Sequence, residues 1–274
     1  MTAKEAATHF ENQRKHCRTL HLVYILLLLI TMAVLLIWGT QAAFIVLIPV
    51  LVVYFAVVRR STKKLTTDWR EFCVRLFTEK NFGKVEYAYK ADLEKLSLYT
   101  QHPLAPISSK GKLFARNVAT GSHAGISAMF LDSTIPVGEG KATRFLSGCW
   151  MGMSFESIMQ EPVRILKEDS IPVGEGWKRC AAPEDMPKDC TFHTASGEME
   201  LPEEILGALK ALLGDMRYDG VIELRPEGLF VFLPRNLINV LPPSMKQPVA
   251  ARMIENLAFP EIDAAYMLAL KLRK

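Results

Sequence analysis

The sequence lacks the residue patterns by which many enzymes and metalloproteins are recognised. Its five cysteines are scattered along 274 residues and form no Cys-x-x-Cys pair, the spacing typical of zinc sites and dithiol redox centres. An odd, scattered set of thiols predicts a reducing compartment and no disulfide framework. The sequence therefore predicts neither a metal site nor a cofactor. These cysteines are Cys17, Cys73, Cys149, Cys180 and Cys190.

Charge is absent from a run of about forty residues, 20–58, which contains no Lys, Arg, Asp or Glu. Residues 20–38 and 42–58 are each long enough, at about 1.5 Å per helical residue, to approach the roughly 30 Å thickness of the bilayer hydrocarbon. Only Gly39, Thr40 and Gln41 lie between them. We therefore predict a transmembrane helical hairpin, with Pro49 inside its second helix and the lipid bilayer as its first partner.

Basic residues flank both ends of this run, whereas the short connection between the two stretches carries no charge. Basic residues favour the cytoplasmic side of a membrane, so we predict a multi-pass protein with both termini in the cytoplasm. Residues 1–64 have eight Lys and Arg against two acidic residues, and residues 65–274 have 25 against 27. The basic surplus thus belongs to the membrane edge, and no nucleic-acid partner is predicted. The flanking cations are Arg14, Lys15, Arg18, Arg59, Arg60, Lys63 and Lys64.

The predicted fold class is α+β, with four parts along the chain. Residues 1–19 form a juxtamembrane helix, 20–58 the transmembrane hairpin, 59–83 a stalk or packing helix that ends at Gly83, and 84–274 a cytoplasmic domain. Short apolar runs at 112–118, 125–131, 143–155, 163–167 and 190–194 predict antiparallel strands. A helix over 202–213, a hairpin over 221–233 and closing helices over 249–257 and 260–272 complete the domain.

The hexapeptide Ile-Pro-Val-Gly-Glu-Gly occurs twice, at 135–140 and 171–176. A Walker phosphate loop is excluded because Ile135 stands where the first glycine is needed and no Ser or Thr follows Lys141. One interpretation is a pair of turns whose glycines adopt positive φ. The other is a paired ligand-binding loop, helped by a nearby histidine. The ligand-binding candidates are Gly138, Glu139, Gly140, Lys141, Gly174, Glu175, Gly176 and His123.

No catalytic residue is predicted. His123 follows Ser122 in an expected turn between two strands, and adjacent side chains rarely face each other for proton transfer. Cys149 lies in an expected strand, where an unpaired cysteine is typically a small buried hydrophobe. Met151, Met153 and Met159 are expected to pack in the core, with an adaptable apolar contact surface as the alternative.

Two segments carry a resemblance to known proteins. The segment 144–151, Arg-Phe-Leu-Ser-Gly-Cys-Trp-Met, and the 201–213 helix followed by the 221–233 hairpin resemble an uncharacterised family of bacterial inner-membrane proteins with a domain of unknown function. Leu201 departs from the threonine that commonly precedes the helix proline, and the doubled hexapeptide is not part of the family pattern. The resemblance implies two spans, a cytoplasmic α+β domain and the inner membrane, and it implies no activity.

These observations predict a membrane-anchored interaction or scaffold module with a protein partner or a second copy of itself. The alternative is a membrane-bound ligand sensor or enzyme that uses the repeated Gly-Glu-Gly loops. Transport is disfavoured because the interiors of the two short spans lack an ionisable residue that could mark a conduction path.

Overall fold

A computed structural model describes residues 2–90, 114–137, 144–167, 173–216, 220–236, 243 and 246–274. The chain divides into two compact units. The first consists of Met1–Cys73 with Val240–Leu257, and the second of Val74–Asn239 with Ala258–Lys274.

The first unit is built on α1 (Ala3–Val53), a π-helical segment (Tyr54–Val58) and the start of α2 (Arg59–Phe82). Thr2 caps α1 by accepting a hydrogen bond from the Glu5 N–H, and the Glu5 carboxylate accepts one from the Thr2 N–H, which satisfies two donors at the helix start. Gly39 has φ of 80° and ψ of −175°, so the helical geometry breaks there. Glycine is the residue that adopts this conformation at little cost. Pro49 lies inside α1 without ending it.

Side-chain contacts show that the two arms on either side of Gly39 run antiparallel. The rings of Tyr24 and Tyr54 lie 4.8 Å apart, and those of Phe10 and Trp69 lie 4.9 Å apart. Earlier residues of the first arm therefore contact later residues of the second, from Tyr24 and Tyr54 out to Phe10 and Trp69, and the two arms form one long helical hairpin. A short helix, α4 (Ala251–Glu255), also belongs to this unit.

Large exposed hydrophobic side chains are concentrated in one part of this hairpin. Nineteen of the 23 found in the described chain lie between Leu22 and Val57. The helices Ala3–Ala42 and Phe44–Phe82 are each long and apolar enough to cross a membrane. The first contains the predicted span 20–38, and the second contains residues 44–58 of the span predicted over 42–58.

The second unit is a nine-stranded, wholly antiparallel sheet with the order β1-β2-β3-β4-β9-β8-β5-β7-β6. Its strands are β1 (Glu86–Lys90), β2 (Phe114–His123), β3 (Ile126–Val137), β4 (Arg144–Ser154), β5 (Val163–Lys167), β6 (Lys178–Cys180), β7 (Cys190–Thr194), β8 (Gly220–Arg225) and β9 (Gly228–Leu233). Two helices, α3 (Glu203–Asp215) and α5 (Pro260–Leu272), also belong to this unit. The α+β class and the antiparallel sheet are therefore confirmed.

Side chains alternate between the two faces of the sheet, and each face has its own core. One face includes Phe130, whose ring contacts Phe82 of α2 at 5.2 Å, and Phe82 in turn contacts Tyr266 of α5 at 5.0 Å. We call this the helix face. The opposite face, the cluster face, carries buried side chains that include Leu131, Trp150 and Phe230.

Several predicted boundaries differ from the observed ones. The strand predicted over 112–118 continues to His123, so the expectation that His123 lies in a turn is wrong. His123 ends β2, and the turn consists of Ala124 and Gly125, both with positive φ. Such a pair is typical of the two-residue turns that match the twist of a hairpin. Helix α3 begins one residue after Pro202, which caps it, and continues through Gly214 to Asp215. The edge strands β1 and β6 were not predicted.

Candidate functional site

The second copy of the repeated hexapeptide forms a turn on the cluster face. Gly174 and Gly176 have φ of 88° and 82°, so the predicted positive φ is confirmed at both. Glu175 between them is exposed. Of the first copy, Ile135–Val137 belongs to β3, whereas Gly138, Glu139, Gly140 and Lys141 lie outside the described residues. The two copies therefore differ in structure where both are described, at Val137 and Val173.

Arg164 holds this turn against the sheet. Its guanidinium Nη1 donates a hydrogen bond to the Val173 carbonyl oxygen, and its guanidinium carbon lies 4.4 Å from the centre of the Trp177 ring. A cation over an indole face is attracted by the ring quadrupole, more strongly where water is excluded. Val173 packs against the core cluster of the same face. The turn is thus attached on both sides of Gly174.

The carboxylate of Glu223 pairs with two arginines, Arg164 and Arg225. Arg164 Nε donates to Glu223 Oε1 at 2.6 Å, and Arg225 Nε donates to Oε2, also at 2.6 Å. Arg225 lies over the Phe230 ring, 4.8 Å from its centre, and 3.6 Å from Glu227. Buried charges need such compensation because the desolvation cost is several kcal/mol per ion. We call Arg164, Glu223 and Arg225 the arginine–glutamate cluster.

His123, the histidine among the predicted ligand residues, lies elsewhere. It is exposed, and its ring lies 6.3 Å from the ring of Tyr266 in α5, on the helix face. Strands β3, β4, β9 and β8 separate β2 from β5. The structure thus places His123 and the Gly174–Gly176 turn on opposite faces, and it does not bring them together.

The buried nucleophilic and basic groups of the sheet are in environments that disfavour their charged forms. Burial raises the pKa of the Cys149 thiol well above its ordinary value, with the charge of Asp132 adding to the effect. Burial, Arg179 and Arg164 all lower the pKa of His193. Burial and the nearby carboxylates outweigh the opposing charge of Arg235, so Cys149 is a buried core thiol, as predicted. Met151, Met153 and Met159 are buried too, which confirms their place in the core.

A groove of about 740 Å³ opens beside the N-terminus of α3. Its apolar lining includes Met159 and Leu201, and its carboxylates are Glu161, Glu200 and Glu203. Glu161 accepts a hydrogen bond from Ser196 Oγ at 3.0 Å. No Lys or Arg lines the groove among the described residues. The surface therefore combines apolar contact area with three negative charges, a composition suited to a cationic, partly apolar ligand. We call it the acidic groove.

The fold and these surfaces define an α+β protein with two membrane-length helices. No family model, curated protein or solved structure matches the chain.

Sequence reasoning did not identify the arginine–glutamate cluster or the acidic groove. One signal for the cluster is visible in retrospect: Arg164 and Glu223 each interrupt an otherwise apolar strand, at Val-Arg-Ile-Leu and Val-Ile-Glu-Leu. A charge inside a buried strand needs a partner nearby. The groove has no comparable signal because 158–163 and 200–203 are far apart in the chain.

Proposed function

We propose that this protein is a membrane-anchored interaction module, held in a bacterial inner membrane by the helical hairpin. The observation that carries the proposal is the concentration of exposed large apolar side chains between Leu22 and Val57. An exposed apolar surface of this extent is unfavourable in water, and it is the surface expected of helices that face lipid.

The basic residues around the hairpin support an orientation with both termini in the cytoplasm. Seven Lys and Arg lie between Asn12 and Thr67, and no Asp or Glu occurs in this interval. All seven lie outside residues 20–58, and the Gly39 turn carries none. This distribution follows the preference of basic residues for the cytoplasmic side.

The acidic groove is the surface that we propose for partner binding. Glu200 and Glu203 are exposed and have no ion-pair partner among the residues that the structure describes. A Lys- or Arg-containing segment of a partner protein would supply the opposite charges, and its apolar side chains would contact the partly exposed Ile158 and Leu201. Complementary charge of this kind favours association rate and specificity.

Anchoring is tested by extracting isolated membranes with alkaline carbonate. We expect the full-length chain to stay in the membrane fraction. In a cysteine-free background, a cysteine at Gln41 should react with a membrane-impermeant maleimide from the outside, whereas one at Lys4 should not. Release by carbonate would contradict the anchor, and labelling at Lys4 in intact cells would contradict the orientation.

Partner binding is tested by photo-crosslinking in cells from Gln160, an exposed residue that lines the groove. We expect a crosslinked product that is lost when Glu200 and Glu203 are both changed to Lys. Ala181, exposed and outside the groove, is the matched crosslinking position. A product that survives charge reversal, or equal crosslinking from Ala181, would contradict the proposed surface.

A further inference from the structure

A second groove lies between the two arms of the hairpin, just beyond the predicted spans. It has a volume of about 440 Å³ and is lined by Asn12, Gln13, His16, Cys17, Ser61, Lys64 and Leu65. We propose that it binds the phosphate group of an anionic phospholipid whose headgroup also carries a hydroxyl. The inference rests on the proposed membrane anchor.

The depth of the groove fits a lipid headgroup. His16 precedes Leu20 by four residues, or about 6 Å along a helix, and Ser61 follows Val58 by three residues, or about 4.5 Å. Lys64 lies about 9 Å from Val58 on the same measure. The headgroup layer adds about 5 to 7 Å on each side of the hydrocarbon. The groove therefore begins at the level where lipid phosphates are found.

The charge around the groove suits an anion. Lys64 lines it directly, and the interval from Asn12 to Thr67 contains no carboxylate. The carboxylates that border this interval are already hydrogen-bonded. Glu11 accepts from the Arg14 side chain and from the Val249 N–H at 2.9 Å, and Asp68 accepts from Gln13 Nε2 at 2.8 Å. An ammonium group beside other cations is a common point of attachment for phosphate.

Gln13 indicates that the ligand also supplies a hydrogen-bond donor. Donation from Nε2 to Asp68 sets the orientation of the amide, and the amide oxygen Oε1 is then buried without a donor among the described residues. A buried acceptor without a donor costs about 1 to 3 kcal/mol. Gln13 lines the groove, and a glycerol-type headgroup carries hydroxyl donors suited to an amide oxygen, whereas a choline headgroup has no donor.

The experiment uses the purified full-length protein in detergent with added phosphatidylglycerol or phosphatidylcholine, and it reads the bound lipid by native mass spectrometry. We expect the wild type to retain phosphatidylglycerol at least tenfold more strongly than phosphatidylcholine. Lys64→Gln should weaken the retention of phosphatidylglycerol by about tenfold. Lys63→Gln removes the same charge from the neighbouring exposed residue, which does not line the groove, and should weaken it less than threefold.

Three results would overturn the site. Equal losses from Lys63→Gln and Lys64→Gln would show general attraction to a basic surface, and equal retention of the two lipids would show no headgroup recognition. Competition by millimolar inorganic phosphate that fully displaces the lipid would identify free phosphate as the ligand. Carbonate extraction of the same variants separates this site from the anchor, since an integrated protein without lipid preference contradicts the site alone.

Discussion

Arg164 and Glu223 lie directly opposite each other on the neighbouring strands β5 and β8, and both side chains are almost fully removed from solvent. The Arg164 guanidinium makes three contacts: it pairs with the buried Glu223 carboxylate, lies over the Trp177 ring and donates a hydrogen bond to the Val173 carbonyl oxygen. The conformation of the Gly174–Gly176 turn is thus coupled to the interior of the sheet.

Replacing Glu223 with Gln should strongly destabilise the second unit. The change removes the carboxylate that two arginines share, and an uncompensated buried charge costs about 3 to 5 kcal/mol. For a chain of this size we expect the midpoint of thermal unfolding to fall by about 10 °C. The measurement is thermal unfolding in detergent, followed by circular dichroism of the sheet.

Glu227→Gln is the matched control for this change. Glu227 is half-exposed and contacts Arg225 at 3.6 Å, so the same chemical change should alter stability by less than about 0.5 kcal/mol. Similar losses in the two variants would show that burial of the cluster does not determine its contribution.

Replacing Gly174 with Ala should disturb the turn over Arg164. Its φ of 88° is unfavourable for a residue with a Cβ atom, and that atom would lie 3.1 Å from Arg164 Nη1. We expect a loss of about 1 to 2 kcal/mol, together with faster amide hydrogen exchange over 173–177 and a change in Trp177 fluorescence.

Gly207 provides the opposite case. It lies in α3 with nothing within 4 Å of an added Cβ, and alanine is the better helix former by about 1 kcal/mol. Gly207→Ala should therefore raise the unfolding midpoint while leaving hydrogen exchange in the turn unchanged. A stable Gly174→Ala protein with normal exchange would contradict the strain assigned to this turn.

The helices and the central strands were largely predictable because their signals are local. The bounds of β5, β7 and α5 were predicted to the residue, as apolar runs bounded by Pro or polar residues. The edge strands were not predictable in this way. β6 is Lys-Arg-Cys, which has no apolar strand pattern, and its extended conformation depends on pairing with β7. The sheet order also brings β9 beside β4, and this contact between distant segments has no local signal.

Little of the candidate site was predictable, and the reason is again long-range contact. The positive φ of Gly174 and Gly176 follows from residue type, but the attachment of their turn depends on Arg164, and the burial of Arg164 depends on Glu223 in another strand. A repeated hexapeptide also suggested equal structures, whereas Val137 lies in β3 and Val173 precedes a turn.

Lys167 should stabilise the C-terminal end of α3, next to which it lies. Its Nζ donates to the carbonyl oxygens of Leu213, at 2.8 Å, and Met216. These carbonyls have no partner within the helix, and a cation there also complements the helix dipole. Lys167→Met keeps the length of the side chain and should cost about 1 to 2 kcal/mol in thermal unfolding. Lys210→Met, at an exposed position of the same helix, should cost much less.

Glu11 should make the stability of the first unit depend on pH. A hydrogen bond from Arg14 lowers the pKa of the Glu11 carboxyl from 4.5 to about 2, and the Val249 N–H contributes in the same direction. Because the folded pKa is depressed, the stabilisation is complete above the unfolded pKa and is lost as pH falls from about 4.5 towards 2. Glu11→Gln should therefore cost about 2 kcal/mol at pH 7, the scale of a charge-assisted hydrogen bond, and progressively less at lower pH. The measurement compares the unfolding midpoints of the two proteins between pH 7 and pH 3, with Glu71→Gln as a control that changes another carboxyl of the helical pair. A difference between Glu11→Gln and wild type that stays constant over this range would contradict the ionic origin of the contact.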